Sequence, residues 1–299
     1  MGLWLKLPCR VRDRRKRVMS YKIYAFADEA AASIDKQIEA MKRNGLAGLE
    51  IRCVDGVNVS ELPLDRAKEI KKKLDDNGLV TWSLGSPIGK INIETDDFAA
   101  HIEKLKHTLE VGNILDTKNI RLFSFYTPEG KNVADYKNEV IDRVGKMCEI
   151  TAQYGIFACH ENEKGIYGDI PERCLELHQA IPALKGIFDP ANFVQCGVDT
   201  LKAWDMLQNY IYYMHIKDAL IDGTVVPSGA GNGNVGAIAK KYLEMGNYAF
   251  TIEPHLAVFE GFAELEKEGE SIKLSEYQYK SNDEAFDVAC NAFKNVIGR

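Results

Sequence analysis

An alternation repeated eight times constrains this chain more than anything else in it: a short apolar run rich in β-branched and aromatic residues, then a longer stretch of helical period. The runs are residues 22–27 (KIYAFA), 48–52 (GLEIR), 80–84 (VTWSL), 119–123 (NIRLF), 156–159 (IFAC), 186–188 (GIF), 211–216 (IYYMHI) and 248–252 (YAFTI). Such runs suit parallel strands buried on both faces. Helical patterns follow them at 33–44, 64–77, 98–111, 133–154, 170–181, 200–209, 235–245 and 283–296, and Gly45, Gly78, Gly155 and Gly246 stand where four of these should stop. Eight βα units in sequence predict a closed parallel sheet. The expected fold class is α/β, a single-domain (β/α)8 TIM barrel, which typically needs about 250 residues; the chain has 299. No GxGxxG follows the first run, so an open dinucleotide-binding sheet is not expected.

The barrel is expected over residues 19–299. Residues 1–18 (MGLWLKLPCRVRDRRKRV) share no pattern with it and carry seven Lys/Arg against one acid. A secretory signal places its positive charge before its apolar run, and here the order is reversed. The segment reads as a dispensable basic extension, disordered or lying upstream of a natural start at Met19. It holds seven of the chain's 38 basic residues and one of its 44 acidic ones, so the other 281 residues carry a net charge of −12. So acidic a body excludes nucleic acid, whose binding depends on phosphate neutralisation. No run reaches the roughly 18 apolar residues of a membrane helix. The seven cysteines show no CxxC spacing and an odd count, which suits reduced thiols in a cytoplasmic protein.

In a barrel of this kind the site lies at the C-terminal ends of the strands. The last four runs each lead into a potential ligand: Glu161, Asp189, His215 and Glu253. Side chains alternate along a strand, so each shares an inward face with the residue two before it: Cys159, Ile187, Tyr213 and Thr251. A single acid at a strand end is commonly a helix cap or a solvated loop residue, and Glu163 and Asp218 read that way. Four ligating side chains on four successive strand ends converge instead. Three carboxylates and one imidazole suit one hard or borderline divalent ion, Mn²⁺ foremost, with Mg²⁺, Co²⁺ or Zn²⁺ compatible.

The residues around these positions carry a resemblance. ACHENEKGIYGD (158–169), FDPANF (188–193), MHIKD (214–218) and TIEPH (251–255), with YAFADEA, GLEIR and SPIGK (86–90), resemble the sugar phosphate isomerase/epimerase family of xylose isomerase-like barrels. The likeness runs from about residue 20 to the C-terminus. It implies that Glu161, Asp189, His215 and Glu253 hold the metal, and that Glu161 and Glu253 also move a substrate proton through an enediolate. The implied partner is a sugar or sugar derivative, and homo-oligomerisation stays open.

Two positions depart from the ketose 3-epimerases of that superfamily, which commonly place a His three residues after the Asp ligand and an Arg six after the His ligand. This chain has Asn192 and Ile221 there. Lys217, two beyond His215, is placed either to hold a substrate oxyanion or to be a solvated loop lysine; His255 invites the same two readings. Asn192, Lys90 and Arg52 are further substrate-binding candidates by position. The glycine-rich PSGAGNGNV (227–235) leads into a helix and reads either as a phosphate loop or as permissive turns. The 256–282 segment, charged and after the last strand, reads as a lid, a dimer contact or a surface insertion.

Three other functions compete. A lyase acting on a keto-sugar, keto-inositol or keto-glycoside shares the first proton transfer. An endonuclease IV-like enzyme needs a histidine-rich trinuclear zinc cluster, and none of the six histidines lies at the end of strands one to four. A non-catalytic sugar-binding or partner subunit has no use for two opposed proton carriers.

Overall fold

The computed structural model describes residues 21–258 and 279–298. The expectations placed on residues 1–18 and on most of the 256–282 segment lie outside the described residues. The eight strands are β1 (Lys22–Ala25), β2 (Gly48–Ile51), β3 (Val80–Leu84), β4 (Asn119–Leu122), β5 (Phe157–Glu161), β6 (Lys185–Phe188), β7 (Ile211–Ile216) and β8 (Ala249–Ile252). Each pairs in parallel with its sequence neighbours, and β1 pairs with β8 from Lys22↔Ala249 to Ala25↔Ile252, which closes the barrel. The expected (β/α)8 TIM barrel is what forms.

The surrounding helices are α1 (Ile34–Arg43), α2 (Leu64–Asp76), α3 (Phe98–Ile114), α4 (Lys137–Gln153), α5 (Pro171–Ala180), α6 (Pro190–Gln195), α7 (Thr200–Leu207), α8 (Val235–Glu244) and α9 (Asn282–Val296). Ser33, Asp97 and Asp199 cap α1, α3 and α7 through side-chain oxygens that accept backbone N–H groups. The two-turn α6 was not expected, although Asp189 at its N-cap and Pro190 at its first position are a standard start signal. β5 runs two residues past its apolar stretch because its ladder continues, with Leu122↔His160 on one side and Glu161↔Ile187 on the other.

Two apolar layers result. Outside the sheet, Phe250, Phe286 and Phe293 are fully buried under the helices, and burial of each stabilises by about 1.5–3 kcal/mol relative to exposure. Inside it, Tyr24, Cys159, Ile187, Tyr213 and Ala249 pack as one cluster. One alternation further along β5, β6 and β7, and two along β8, come Glu161, Asp189, His215 and Glu253. The interior of the barrel is therefore the floor of the site.

Candidate metal centre

One ligand atom from each of Glu161, Asp189, His215 and Glu253 lies within 4.8 Å of the other three, and all four residues are buried. His215 turns Nδ1 into this group, 2.7 Å from Glu161 Oε1 and 3.7 Å from Glu253 Oε2. Asp189 divides its oxygens. Oδ1 accepts the Asn192 N–H and starts α6, while Oδ2 is buried without a hydrogen bond. Lys217 Nζ stands 3.0 Å from that Oδ2, an ion-pair distance off the hydrogen-bond direction, and 3.0 Å from Glu253 Oε2.

Charge is arranged around the four. Arg121, from β4, puts Nη1 3.1 Å from Glu161 Oε2 and 3.7 Å from Glu253 Oε1. Arg52 clamps Asp28 at 2.8 Å and Glu29 at 3.0 Å, and reaches Glu253 at 3.5 Å. Glu50, from β2, meets His215 Nε2 at 3.1 Å. Six buried carboxylates (Asp28, Glu29, Glu50, Glu161, Asp189, Glu253) thus face three obligate cations (Arg52, Arg121, Lys217). Burial raises Glu29 to about 8 despite Arg52. Burial also raises Asp189 to about 7 against the pull of Lys217. Burial opposes a proton on His215, but Glu161 and Glu50 outweigh it and raise the ring to about 10.

These observations fit a divalent ion. Six carboxylates outnumber the three permanent cations in this buried cluster, and a buried uncompensated charge is costly. The unbonded Asp189 Oδ2 and the inward Nδ1 are the kinds of atom such an ion takes. A second group, Glu29, Glu253 and His255, also brings ligand atoms within 4.8 Å. There Arg52 already faces the oxygens of both glutamates, so a guanidinium fills the cationic role.

The substrate-binding candidates fall in different places. Lys217 and His255 are buried beside Glu253, with His255 Nδ1 3.8 Å from Glu253 Oε1. Arg52 is committed to Asp28, Glu29 and Glu253. Lys90 pairs with Glu163 at 2.9 Å and lies over the Phe123 ring. Asn192 donates its side-chain amide to the Asn162 carbonyl, and Ile221 is exposed on a turn. The glycine-rich loop does not present its amides to a ligand: Gly229, Gly231 and Gly233 donate them to the Asp218 carboxylate at 2.8–3.1 Å. A Cβ on Gly231 would sit 2.3 Å from Asp218 Oδ1, so glycine there serves close approach. Asp218 is accordingly a buried loop anchor, not a solvated residue.

Glu50, Arg121, Asp28 and Glu29 were not singled out in the sequence. The available signal was a charged residue inside fully buried four-residue strands, GLEI and NIRL, where an unpaired charge is too costly to keep.

A family model described as xylose isomerase-like TIM barrel matches residues 38–273. A 3-dehydroshikimate dehydratase of Bacillus anthracis is 25% identical over 124 residues, which are 41% of this chain and 44% of that relative's length. Among solved structures, the IolI protein with a bound zinc atom superposes with a TM-score of 0.70 at 15% identity, covering 93% of this chain and 98% of that one. D-psicose 3-epimerase, solved in the presence of D-fructose, gives a TM-score of 0.70 at 14% identity over 93% of this chain and 100% of its own. No helix among the described residues is long and apolar enough to cross a membrane. The family match spans most of the barrel and all four convergent side chains, and the chain belongs to the xylose isomerase-like TIM-barrel family.

Proposed function

We propose that this chain is a divalent metal-dependent isomerase or epimerase of a sugar or sugar derivative, acting by proton transfer beside a carbonyl. The observation that carries the proposal is the convergence of Glu161, Asp189, His215 and Glu253, two of them glutamates from strands separated by β6 and β7. Mn²⁺ is the ion of choice, with Mg²⁺, Co²⁺ or Zn²⁺ compatible with the same donors. When bound, it supplies Lewis-acid stabilisation of the charge that builds on substrate oxygens.

The chain's own residues do the rest. One glutamate, ionised, takes the C–H proton and the electron pair moves toward the carbonyl oxygen; the second, entering the cycle protonated, gives its proton to the opposite face, so the two exchange protonation states. Glu253 is ionised and so can accept a proton: burial opposes its charge, but Lys217, His215 and Arg121 hold it well below the usual carboxylate range. Lys217 lies where it can neutralise an enediolate oxygen. Asn162 fixes the approach of β6, accepting the Asp189 N–H and donating to the Asp189 carbonyl at 2.9 Å each.

A second reading is β-elimination after the same first step. Asn192 and Ile221 favour it, because the His and Arg common to ketose 3-epimerases are missing, and so does the match to a dehydratase. Lys217 would then donate to the departing hydroxyl. Product analysis over a panel of ketoses, keto-inositols and keto-acids tests the two: a diastereomer of unchanged mass supports epimerisation, and a product lighter by water supports elimination. A metal-loaded protein that acts on none of these classes contradicts the proposal.

A further inference from the structure

Glu50 lies within β2, whose four residues are all buried, and the pairing register with β3 shifts between Leu49 and Glu50. Such irregularities re-aim a side chain. Here the carboxylate reaches a metal-ligand candidate from the far side: Oε2 is 3.1 Å from His215 Nε2. Its other oxygen accepts the Tyr213 hydroxyl at 2.8 Å, and Tyr213 in turn lies 3.1 Å from Ser83 Oγ. With Tyr213 donating to Glu50, Ser83 is the donor to Tyr213. Phe26 packs edge-on to the His215 ring at 5.2 Å between centroids, which fixes its plane.

We propose that Glu50 is a positioning residue for the metal centre: it keeps the proton of His215 on Nε2 and commits Nδ1 to the ion. The inference rests on the metal-centre reading above. An imidazole has two nitrogens, and the partner of one decides what the other can do. Nδ1 already faces Glu161 and Glu253, so a carboxylate on Nε2 selects the ligating tautomer and holds the ring against rotation. The hydroxyls of Tyr213 and Ser83 serve a second purpose. They tie down the remaining oxygen of Glu50 and keep it out of the ligand set, on the opposite side of the ring from the ion. A carboxylate in the apolar floor of a barrel is otherwise unfavourable.

The test is a calorimetric titration of the full-length protein, stripped of metal, with Mn²⁺. Glu50→Gln keeps the shape of the side chain and removes its charge, and its Mn²⁺ affinity is expected to fall about 10–100-fold. In the Zn²⁺-loaded parent protein, ¹H–¹⁵N spectra of the His215 ring should show a protonated Nε2 and a metal-bound Nδ1. A purely structural role would lower the melting temperature of the metal-free variant and leave Mn²⁺ affinity unchanged, which overturns the inference. If Glu50→Gln does not fold, Tyr213→Phe decides: it retains the carboxylate but frees it, so weaker Mn²⁺ binding supports the inference and unchanged binding overturns it. A parent protein that binds no Mn²⁺ contradicts the metal centre itself. Equal affinities in parent and variant contradict only the role of Glu50.

Discussion

The ammonium of Lys217 lies 3.0 Å from Glu253 Oε2, an oxygen that also faces His215 Nδ1 at 3.7 Å. Lys217 thus shares an oxygen with the group that would ligate an ion. Burial opposes its charge, but Asp189 and Glu253 hold its pKa well above the ordinary lysine value. A permanently charged lysine at this point weakens the carboxylates as ligands and strengthens the site for a substrate oxyanion.

Lys217→Met should therefore separate the two functions. Turnover is expected to fall by about 10²–10⁴, the range for loss of one positioned proton donor or charge partner, while Mn²⁺ binds as tightly as before or more tightly. Parallel loss of metal and activity on titration would contradict a role for Lys217 toward substrate.

Metal content follows from the proposal that Glu161, Asp189, His215 and Glu253 are ligands. The purified protein should carry about one divalent ion per chain, removed by EDTA, and Glu161→Gln and Asp189→Asn should each lower occupancy in elemental analysis. A proton on His215 and the ion compete for Nδ1, and the ring is raised to about 10 in the absence of the ion. Affinity should accordingly rise with pH across the neutral range, because binding releases that proton. A pH-independent affinity would contradict ligation by His215.

Arg52→Leu removes the guanidinium that joins Asp28, Glu29 and Glu253. Breaking a buried pair leaves uncompensated charge and typically costs about 3–5 kcal/mol. Urea unfolding should show a loss of that order. An unchanged midpoint would mean that the network is not held together by this arginine.

The convergence of Glu161, Asp189, His215 and Glu253 was legible in the sequence because the βα rhythm fixes where each strand ends, and a strand end points its side chain at one known place. Glu50 and Arg121 were not, since their partners are distant in sequence: Glu50 meets His215 across 165 positions and Arg121 meets Glu161 across 40. An isolated acid in an apolar strand says that a partner exists, but not which one. The glycine-rich loop left two readings open for a related reason. Amides that suit a phosphate suit a carboxylate equally well, and Asp218, two residues past the end of β7, takes them.

His101 gives a pH signature away from the metal centre. The Gly89 N–H donates to its Nε2 at 2.8 Å, which requires that nitrogen to be unprotonated, and burial lowers the ring from 6.5 to about 4. A folded-state value below the unfolded one means that the contribution is fully present above pH 6.5 and is lost as pH falls toward 4. The stability advantage of the parent over His101→Gln should shrink across that window in denaturant unfolding. A constant difference from pH 7 to pH 4 would show that His101 does not titrate there.

Solvent hydrogen exchange tests the central claim most directly. If Glu161 and Glu253 are the proton carriers, a substrate turned over in D₂O by the Mn²⁺-loaded protein gains deuterium at the carbon beside its carbonyl, whether the outcome is epimerisation or elimination with reversible first step. Glu253→Gln should suppress that exchange by about 10²–10⁴, beyond what its measured loss of metal explains. Turnover with the substrate hydrogen fully retained and moved to a neighbouring carbon would signal a hydride shift, and would contradict proton transfer by these two glutamates.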